Sequence, residues 1–216
     1  MRNAALVLSS VVLLLGCLTP EMQQEQDRAR FAAEGHQYLK RGAHADARAS
    51  FNLALQVRPD DADTVYQLAR CATALGDKKQ AEGLLVRSLS LDAGHEGARS
   101  ALARRMLDDG RPADARQMVK AWLVAQPDRP GPYVEDGLMH VRDGDLDSAR
   151  GRFEQAIFLD PLHPRANLEL GKIYERLDHA GRAVVLYELA AQVGDAEAAE
   201  KLAALRKKGV QRPRPD

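Results

Sequence analysis

The chain has 216 residues, of which 45% are hydrophobic and 5% aromatic, a composition that suits one core of packed helices better than a sandwich of β-sheets. Its 31 Lys and Arg residues balance its 31 Asp and Glu residues, so no net field draws the protein to nucleic acid or to anionic membranes. The charge balance therefore argues against a DNA partner, and no stretch shows the alternation expected of strands.

The chain begins with a segment typical of a secretory signal sequence. One basic residue, Arg2, is followed by an apolar run from Ala4 to Leu15. This run is shorter than the roughly 20 apolar residues that a membrane-spanning helix needs, and it contains two serines. The pattern therefore favours a cleaved signal over a spanning anchor.

The end of this segment, Leu14-Leu15-Gly16-Cys17, resembles the bacterial lipoprotein box. The resemblance implies that residues 1–16 are a signal peptide and that Cys17 becomes an acylated first residue. Leu18 stands where an aspartate would retain such a protein in the inner membrane of enterobacteria, which implies anchoring in the outer membrane, on its periplasmic face. Three acyl chains exceed the two lipid signals that stable attachment requires.

Residues 17–27 are predicted to form the anchor, a short tether and the start of a helix. Thr19, Pro20 and Glu21 have the order of an N-cap, a first-turn proline and an acidic first-turn residue. We expect this helix to run through Gln37 into the next element. A tether this short would hold the rest of the protein against its membrane.

From Arg28 onward, similar residues recur every 34 positions. We call a set of five positions spaced by 34 residues a column. One column contains only alanine: Ala47, Ala81, Ala115, Ala149 and Ala183. The column four residues later is large and apolar: Phe51, Leu85, Val119, Phe153 and Tyr187. A third column is small: Gly35, Ala69, Ala103, Gly137 and Gly171. A fourth forms turns: Gly42, Gly76, Gly110, Gly144 and Asp178. Small residues predict a close crossing of two helices, and the large residue fills the space beside it.

This period and these columns resemble the tetratricopeptide repeat, a pair of helices that stacks on its neighbours. Five repeats tile the chain at residues 28–61, 62–95, 96–129, 130–163 and 164–197. The resemblance implies an all-α, right-handed superhelical solenoid in which the first helix of each repeat lines the binding face. A single repeat cannot bury its apolar side alone, so the stack is the folding unit.

The last repeat is followed by a predicted capping helix, residues 196–208, which overlaps its end. Asp195 is its expected N-cap, and we expect Ala199, Leu202, Ala203 and Leu205 to face inward. Residues 209–216, rich in proline and arginine, are predicted to be disordered.

Two residues depart from the repeat pattern. Trp122 stands in a column of small residues, where it either packs in the core, the favoured interpretation, or turns outward as a contact. Cys71 has no partner once Cys17 is acylated, so we expect it to be a small buried hydrophobic residue.

The sequence contains no recognisable catalytic constellation. It has no glycine-flanked nucleophilic serine, no phosphate-binding glycine loop and no zinc-binding histidine pair. Its six histidines are dispersed: His36, His44, His95, His140, His163 and His179. We therefore expect no enzyme, no metal and no cofactor, and an undetected enzyme remains the minor alternative.

What remains is protein binding by the first helices. Along one column the residues are basic or titratable at four of five positions: His36, Arg70, Arg104, Leu138 and Lys172. A second column on the same face reads Lys40, Ala74, Asp108, Arg142 and Arg176, of which Lys40, Arg142 and Arg176 are predicted groove residues. Between them stand Tyr66, Gln67, Ser100, Val134, Glu135, Leu168 and Glu169. This combination predicts a groove for an amphipathic or extended segment with acidic residues, and the alternative is a solvated polar face.

Within this class the sequence resembles the lipoproteins of type IV pilus biogenesis, tetratricopeptide pilotins that bring a secretin to the outer membrane. That resemblance implies a protein partner, a secretin, held in the groove while the acyl chains keep the complex at the membrane. Two alternatives stay open. One is an adaptor for peptidoglycan hydrolases or envelope proteases, and the other is a structural component of a secretion or motility complex.

Overall fold

The computed structural model describes residues 19–212. The predictions for the signal segment, for acylated Cys17 and for residues 213–216 lie outside the described residues. Residues 19–212 form eleven α-helices and no strand. The predicted all-α fold is confirmed.

The helices follow one another with short connections. They are α1 (Pro20–Lys40), α2 (His44–Val57), α3 (Ala62–Ala74), α4 (Lys78–Leu91), α5 (Glu96–Asp108), α6 (Pro112–Ala125), α7 (Pro130–Asp143), α8 (Leu146–Leu159), α9 (Pro164–Arg176), α10 (Ala180–Gln192) and α11 (Ala196–Lys207). The odd-numbered helices from α1 to α9 are the first helices of the five predicted repeats, and α11 is the predicted capping helix.

The first helix begins where its capping sequence predicted. The side chain of Thr19 accepts a hydrogen bond from the backbone N–H of Met22 at 3.2 Å, and Pro20 is the first helical residue. Two ion pairs then hold α1 against the α2–α3 connection: Arg28 with Asp61 at 2.9 Å and Glu25 with Arg58 at 3.0 Å. The helix is thus attached to its repeat near its start.

The described chain divides within α5 into two compact bodies. The N-terminal body ends at Leu102, and the C-terminal body begins at Ala103. In the N-terminal body α1 packs on α2 and α3 packs on α4. In the C-terminal body the packed pairs are α7 with α8 and α9 with α10, and α11 covers α10. Each of these predicted helix pairs is therefore also a packing pair.

The small-residue column exists because an aromatic ring lies directly on the helix backbone. A methyl group added to Gly35 would stand 2.7 Å from the Phe51 ring, and one added to Gly137 would stand 2.7 Å from the Phe153 ring. The same methyl on Gly171 would stand 2.5 Å from the Tyr187 ring. Contacts this short are overlaps, so glycine is required wherever the second helix carries a ring. The two repeats with alanine in this column have Leu85 and Val119 instead of a ring.

The turn column exists because each helix pair reverses through a left-handed residue. The φ angles are 72° at Gly42, 79° at Gly76, 72° at Gly110 and 81° at Gly144. The fifth repeat uses Asp178 at φ 59°, the one non-glycine residue with positive φ among residues 19–212. An aspartate there costs roughly 1 kcal/mol relative to glycine, which makes this the most strained of the five turns.

Both residues that depart from the pattern lie in the core. The Trp122 side chain is 1% exposed, and its indole N–H donates to Oε1 of Gln126 at 2.8 Å. It is therefore not available as a surface contact, because α6 turns it inward between buried neighbours. Cys71 is a free, buried thiol, and burial raises its pKa above the ordinary value.

The capping helix is confirmed, with a correction to its buried side. The Asp195 side chain accepts a hydrogen bond from the backbone N–H of Ala198 at 2.9 Å, and the helix ends at Lys207. Ala198, Leu202 and Leu205 are buried, whereas Ala199 and Ala203 are exposed. The prediction for those two alanines was wrong because the buried face of α11 begins at Ala198 and not at Ala199.

The contact between Gly137 and Phe153 predicts opposite effects for two similar substitutions. Gly137→Ala should destabilise the protein by about 1–3 kcal/mol, because its methyl overlaps the ring. Gly151→Ala should stabilise it by about 0.5–1 kcal/mol, because a methyl on this helical glycine meets nothing within 4 Å. Urea unfolding of both variants measures the difference, and Phe153→Leu in the Gly137→Ala background should recover part of the loss. Equal effects of the two alanines would contradict the proposed packing.

Candidate functional site

The predicted groove residues of the N-terminal body lie on the first helices of the repeats, α1, α3 and α5. Exposed side chains are contributed by His36 and Lys40 on α1 and by Arg70 on α3. The His36 ring lies edge-on to Phe51 at 5.2 Å between centroids. The guanidinium of Arg70 donates to Oε1 of Gln67 at 2.8 Å, which fixes the arginine along its own helix.

The remaining predicted groove residues of this body are less accessible. Gln67 is only 6% exposed and also donates to Asp63 at 3.3 Å. Tyr66 is half-buried, packs on the His95 ring at 4.8 Å and leaves no room for a side chain on Gly97. Ser100 is half-buried as well. This part of the surface is a packed layer of polar and aromatic groups.

In the C-terminal body the predicted groove residues fall into three classes. Arg104, Arg142 and Arg176 are exposed on α5, α7 and α9. Leu138 and Lys172 are half-buried. Leu168 is 1% exposed and belongs to the core.

The prediction of Leu168 as a groove residue was therefore wrong. Its side chain lies in a cluster with Tyr187 of α10 and with Ala198 and Leu202 of α11. The capping helix packs over the position that remains half-exposed at Tyr66 and Ser100 in the N-terminal body. Val134, the equivalent residue of the fourth repeat, is 3% exposed, so this column is buried in both of the last two repeats.

A cavity of about 400 Å³ opens on the first helices of the C-terminal body. It is lined by residues of α7, α9 and α11: Val141, Glu169, Lys172, Ile173, Glu175, Arg176 and Lys201. Of the predicted residues, Lys172, Arg176 and the neighbouring Glu169 are among them. This cavity is the candidate functional site.

Most charges around the cavity neutralise one another. Glu169 is only 7% exposed and pairs with Arg165 at 3.0 Å and with Lys172 at 3.2 Å. Lys172 also reaches Glu197 on the capping helix at 2.6 Å. The hydrogen bond and charge of Lys172 hold the pKa of Glu197 below its ordinary value.

A second ion pair crosses from α9 to α11 at the bottom of the cavity. Glu175 accepts hydrogen bonds from the hydroxyl of Tyr187 at 2.5 Å and from the ammonium of Lys201 at 3.0 Å. Burial opposes the ionised form of Glu175, but these two hydrogen bonds outweigh it and keep the pKa of the carboxyl below its ordinary value. Burial and the nearby Glu175 raise the pKa of Tyr187, so its hydroxyl stays protonated and donates.

The cavity combines apolar and polar lining. The half-buried Val141 offers apolar surface, Ile173 lines the cavity with only 2% of its surface exposed, and the paired carboxylates and ammonium groups form a polar wall. Arg176 is the one lining cation that forms no ion pair with any residue in the range 19–212. Its guanidinium can take a carboxylate from a partner in the two-pronged geometry that arginine favours.

Sequence reasoning missed four of the lining residues: Val141, Ile173, Glu175 and Lys201. Val141 and Glu175 lie 34 residues apart, in a repeat column that we did not consider. Lys201 could have been found only by treating the capping helix as the first helix of a further, incomplete repeat. The neighbouring helix sets how much of each side chain is exposed, and this exposure decides whether a residue can contact a partner.

No group of three or more His, Cys, Asp or Glu side chains gathers within residues 19–212 as metal ligands would. No helix within residues 19–212 is both long and apolar enough to cross a bilayer.

Comparison with known families identifies the repeat. Two sequence profiles, both described as tetratricopeptide repeat, match residues 38–89 and residues 137–207. Both matches start inside a first helix and run across the following helix pairs. The repeats predicted from the 34-residue period are thus recognised independently in each body.

Solved structures show the same fold. The thermophilic TPR protein TTC0263 of Thermus thermophilus has a TM-score of 0.67 and 20% identity, over 83% of this chain and 99% of that one. PilF of Pseudomonas aeruginosa has a TM-score of 0.59 and 20% identity, over 86% of this chain and 93% of that one. The Cut9–Hcn1 structure matches with a TM-score of 0.62 and 18% identity, over 84% of this chain and 37% of that one. At these identities the similarity establishes the fold alone.

One curated relative is similar in sequence. The probable biofilm formation methyltransferase WspC of Pseudomonas putida is 30% identical over 102 residues, which are 46% of this chain and 24% of WspC. This chain therefore spans about a quarter of the length of that relative. The match covers only a quarter of WspC, so the methyltransferase activity in its name is not assigned to this chain.

The lowered pKa of Glu175 predicts how acid affects the capping helix. Folding favours the ionised carboxylate, so its contribution is present above the ordinary pKa of 4.5 and is lost as the pH falls through the lower folded value. Glu175→Gln should therefore lose less stability than the unmodified protein between pH 6 and pH 3, as measured by urea unfolding. Glu200→Gln, at an exposed position of α11, should keep the pH dependence of the unmodified protein, and a parallel curve for Glu175→Gln would contradict the ion-pair assignment.

Proposed function

We propose that this tetratricopeptide-repeat protein is a lipid-anchored, protein-binding scaffold of a bacterial envelope, which takes a segment of its partner on the first helices of the C-terminal body. The observation that carries this proposal is the cavity lined by Val141, Ile173 and Arg176. It combines apolar surface with one arginine that lacks an ion pair within residues 19–212, among otherwise neutralised charges. No catalytic group is required for this role.

The lining suggests the chemistry of the bound segment. An aliphatic or aromatic side chain would cover Val141, and a nearby carboxylate would pair with Arg176. A volume of about 400 Å³ lies at the small end of the range of ligand pockets, so it fits one or two side chains rather than a folded domain. Further contacts along the first helices would have to supply the rest of the affinity.

The proposed anchor follows from the sequence around Cys17. Thr19 caps α1, so a single residue, Leu18, separates Cys17 from the helix cap. Even a fully extended connection of this kind spans only about 10 Å. An acyl group on Cys17 would therefore hold the start of α1 close to the membrane surface.

The proposed process is assembly of a type IV pilus secretin at the outer membrane. Support comes from the sequence resemblance to pilus-biogenesis lipoproteins, and the fold shared with PilF agrees with it. A membrane-bound scaffold that holds one secretin segment raises the effective concentration of subunits where they oligomerise. An adaptor for a peptidoglycan hydrolase or an envelope protease would use the same cavity with a different client.

One observation favours a second candidate, a structural component that binds through its second helices. Val124 on α6 and Phe158 on α8 occupy equivalent positions 34 residues apart, and they are 84% and 80% exposed. Large apolar side chains this exposed, at repeated positions, are typical of contact surfaces. This candidate would leave the cavity unused.

Site-specific photo-crosslinking in the native cell separates the two candidates. A photoreactive residue at position 138, on the first helices, should capture the partner, whereas one at position 158 should not. Arg176→Glu should reduce capture from position 138 by about tenfold or more, because it replaces an attraction with a repulsion. Lys120→Glu, an equal change of charge on α6, should leave capture unchanged. Capture from position 158 alone would contradict the groove and support the structural component.

The anchor has a matched control within the chain. Cys17→Ser should abolish incorporation of labelled palmitate and release the protein from the membrane fraction. Cys71→Ser should leave both unchanged, because the Cys71 thiol is buried in the N-terminal body. Continued labelling of the Cys17→Ser variant would overturn the lipoprotein assignment.

A further inference from the structure

The C-terminal end of the array concentrates positive charge in a protein whose net charge is zero. Between residues 201 and 212 the chain has five cations and no carboxylate: Lys201, Arg206, Lys207, Lys208 and Arg212. The last four, which we call the C-terminal cationic site, lie at the end of α11 and just beyond it. This clustering cannot be read from the overall composition.

Two of the five cations are neutralised and three are not. Lys201 pairs with Glu175 at 3.0 Å, and Arg206 pairs with Glu188 at 2.8 Å. Lys207, Lys208 and Arg212 are exposed and form no ion pair with any residue from 19 to 212. Three cations that form no ion pair within residues 19–212 thus stand within six residues of one another, and the charge of Lys208 helps to lower the pKa of Glu175.

The backbone holds these cations in place. Gly209, at φ 80°, reverses the chain, and the N–H of Val210 donates to the carbonyl of Leu205 at 3.1 Å. Val210 then packs against the core cluster that contains Leu205. Arg212 is thereby brought back to the helix, where it lines with Arg206 an open depression of about 300 Å³. Arg206 and Arg212 therefore share one surface at the end of α11.

Stabilisation of the helix explains only part of this cluster. Basic residues in the last turn interact favourably with the negative end of the helix dipole, which accounts for Lys207 and Lys208. Arg212 lies beyond the helix and gains nothing from the dipole. A shallow, exposed basic surface suits a flat anionic partner.

We propose that the C-terminal cationic site docks on the headgroups of anionic phospholipids. The choice of a bilayer over other polyanions rests on the proposed function, which places this protein on a membrane. Each cation at such a surface strengthens binding by about fivefold. With an acyl anchor at Cys17 already supplying attachment, this second contact would mainly orient the C-terminal body and its cavity relative to the membrane.

The test uses the processed full-length protein carrying a fluorophore on Gln211→Cys, an exposed neutral position that lines the depression. The vesicles contain either neutral phosphatidylcholine or a mixture with phosphatidylglycerol, together with a headgroup-attached quencher. We expect quenching in the anionic vesicles that is reversed by about 0.5 M salt, as screening requires (a Debye length of about 4 Å). Replacing Arg206, Lys207, Lys208 and Arg212 by Gln should weaken it by about tenfold or more.

A control variant carries the same change of net charge elsewhere. Arg41, Lys78, Lys79 and Lys120 are exposed, and their replacement by Gln should leave quenching unchanged. Equal loss in both variants would overturn the inference, as would displacement from the vesicles by an equimolar short RNA. Co-sedimentation with neutral vesicles reports the acyl anchor separately. Sedimentation without quenching would refute the cationic site alone, and salt-sensitive quenching without neutral sedimentation would refute the anchor alone.

Discussion

The contact between a helix backbone and a ring of the next helix is the constraint on which the rest of the structure depends. Where Phe51, Phe153 or Tyr187 lies on a first helix, that helix must have glycine at the crossing, since even a methyl group would overlap the ring. The close crossing turns two amphipathic helices into one unit with an exposed first-helix surface. Each later feature, from the cavity to the capping helix, is built on that unit.

Residues that attach the capping helix to the last repeat also line or border the candidate cavity. The capping helix buries Leu168 and Tyr187, and it brings Lys201 and Glu197 to the first-helix surface of the last repeat. Lys201 pairs with Glu175, and Glu197 pairs with Lys172. Arg176 remains the cation without an ion pair in the lining described here. Closing the array therefore also defines which charge is offered to a partner.

Charge is distributed unevenly although the totals cancel. Around the cavity carboxylates and cations alternate and pair, whereas the segment from Lys207 to Arg212 has three cations without carboxylate partners in residues 19–212. A net charge of zero excludes a strong field over the whole protein but not a local basic surface. The proposed protein-binding and lipid-binding roles use these two different local environments.

The sequence by itself determined the helix pairs, their turns and their caps, because these depend on local rules. A 34-residue period, glycine at the left-handed turns, and Thr19 and Asp195 as caps need only the neighbours in the chain. Only the tertiary structure decided which residues are exposed. Leu168, Trp122 and Ala199 were misjudged or left open because their burial depends on helices that are distant in sequence or on the exact rotation of a helix. The pairing of Lys172 with Glu197 depends on the packing of α9 against α11, which no repeat pattern contains.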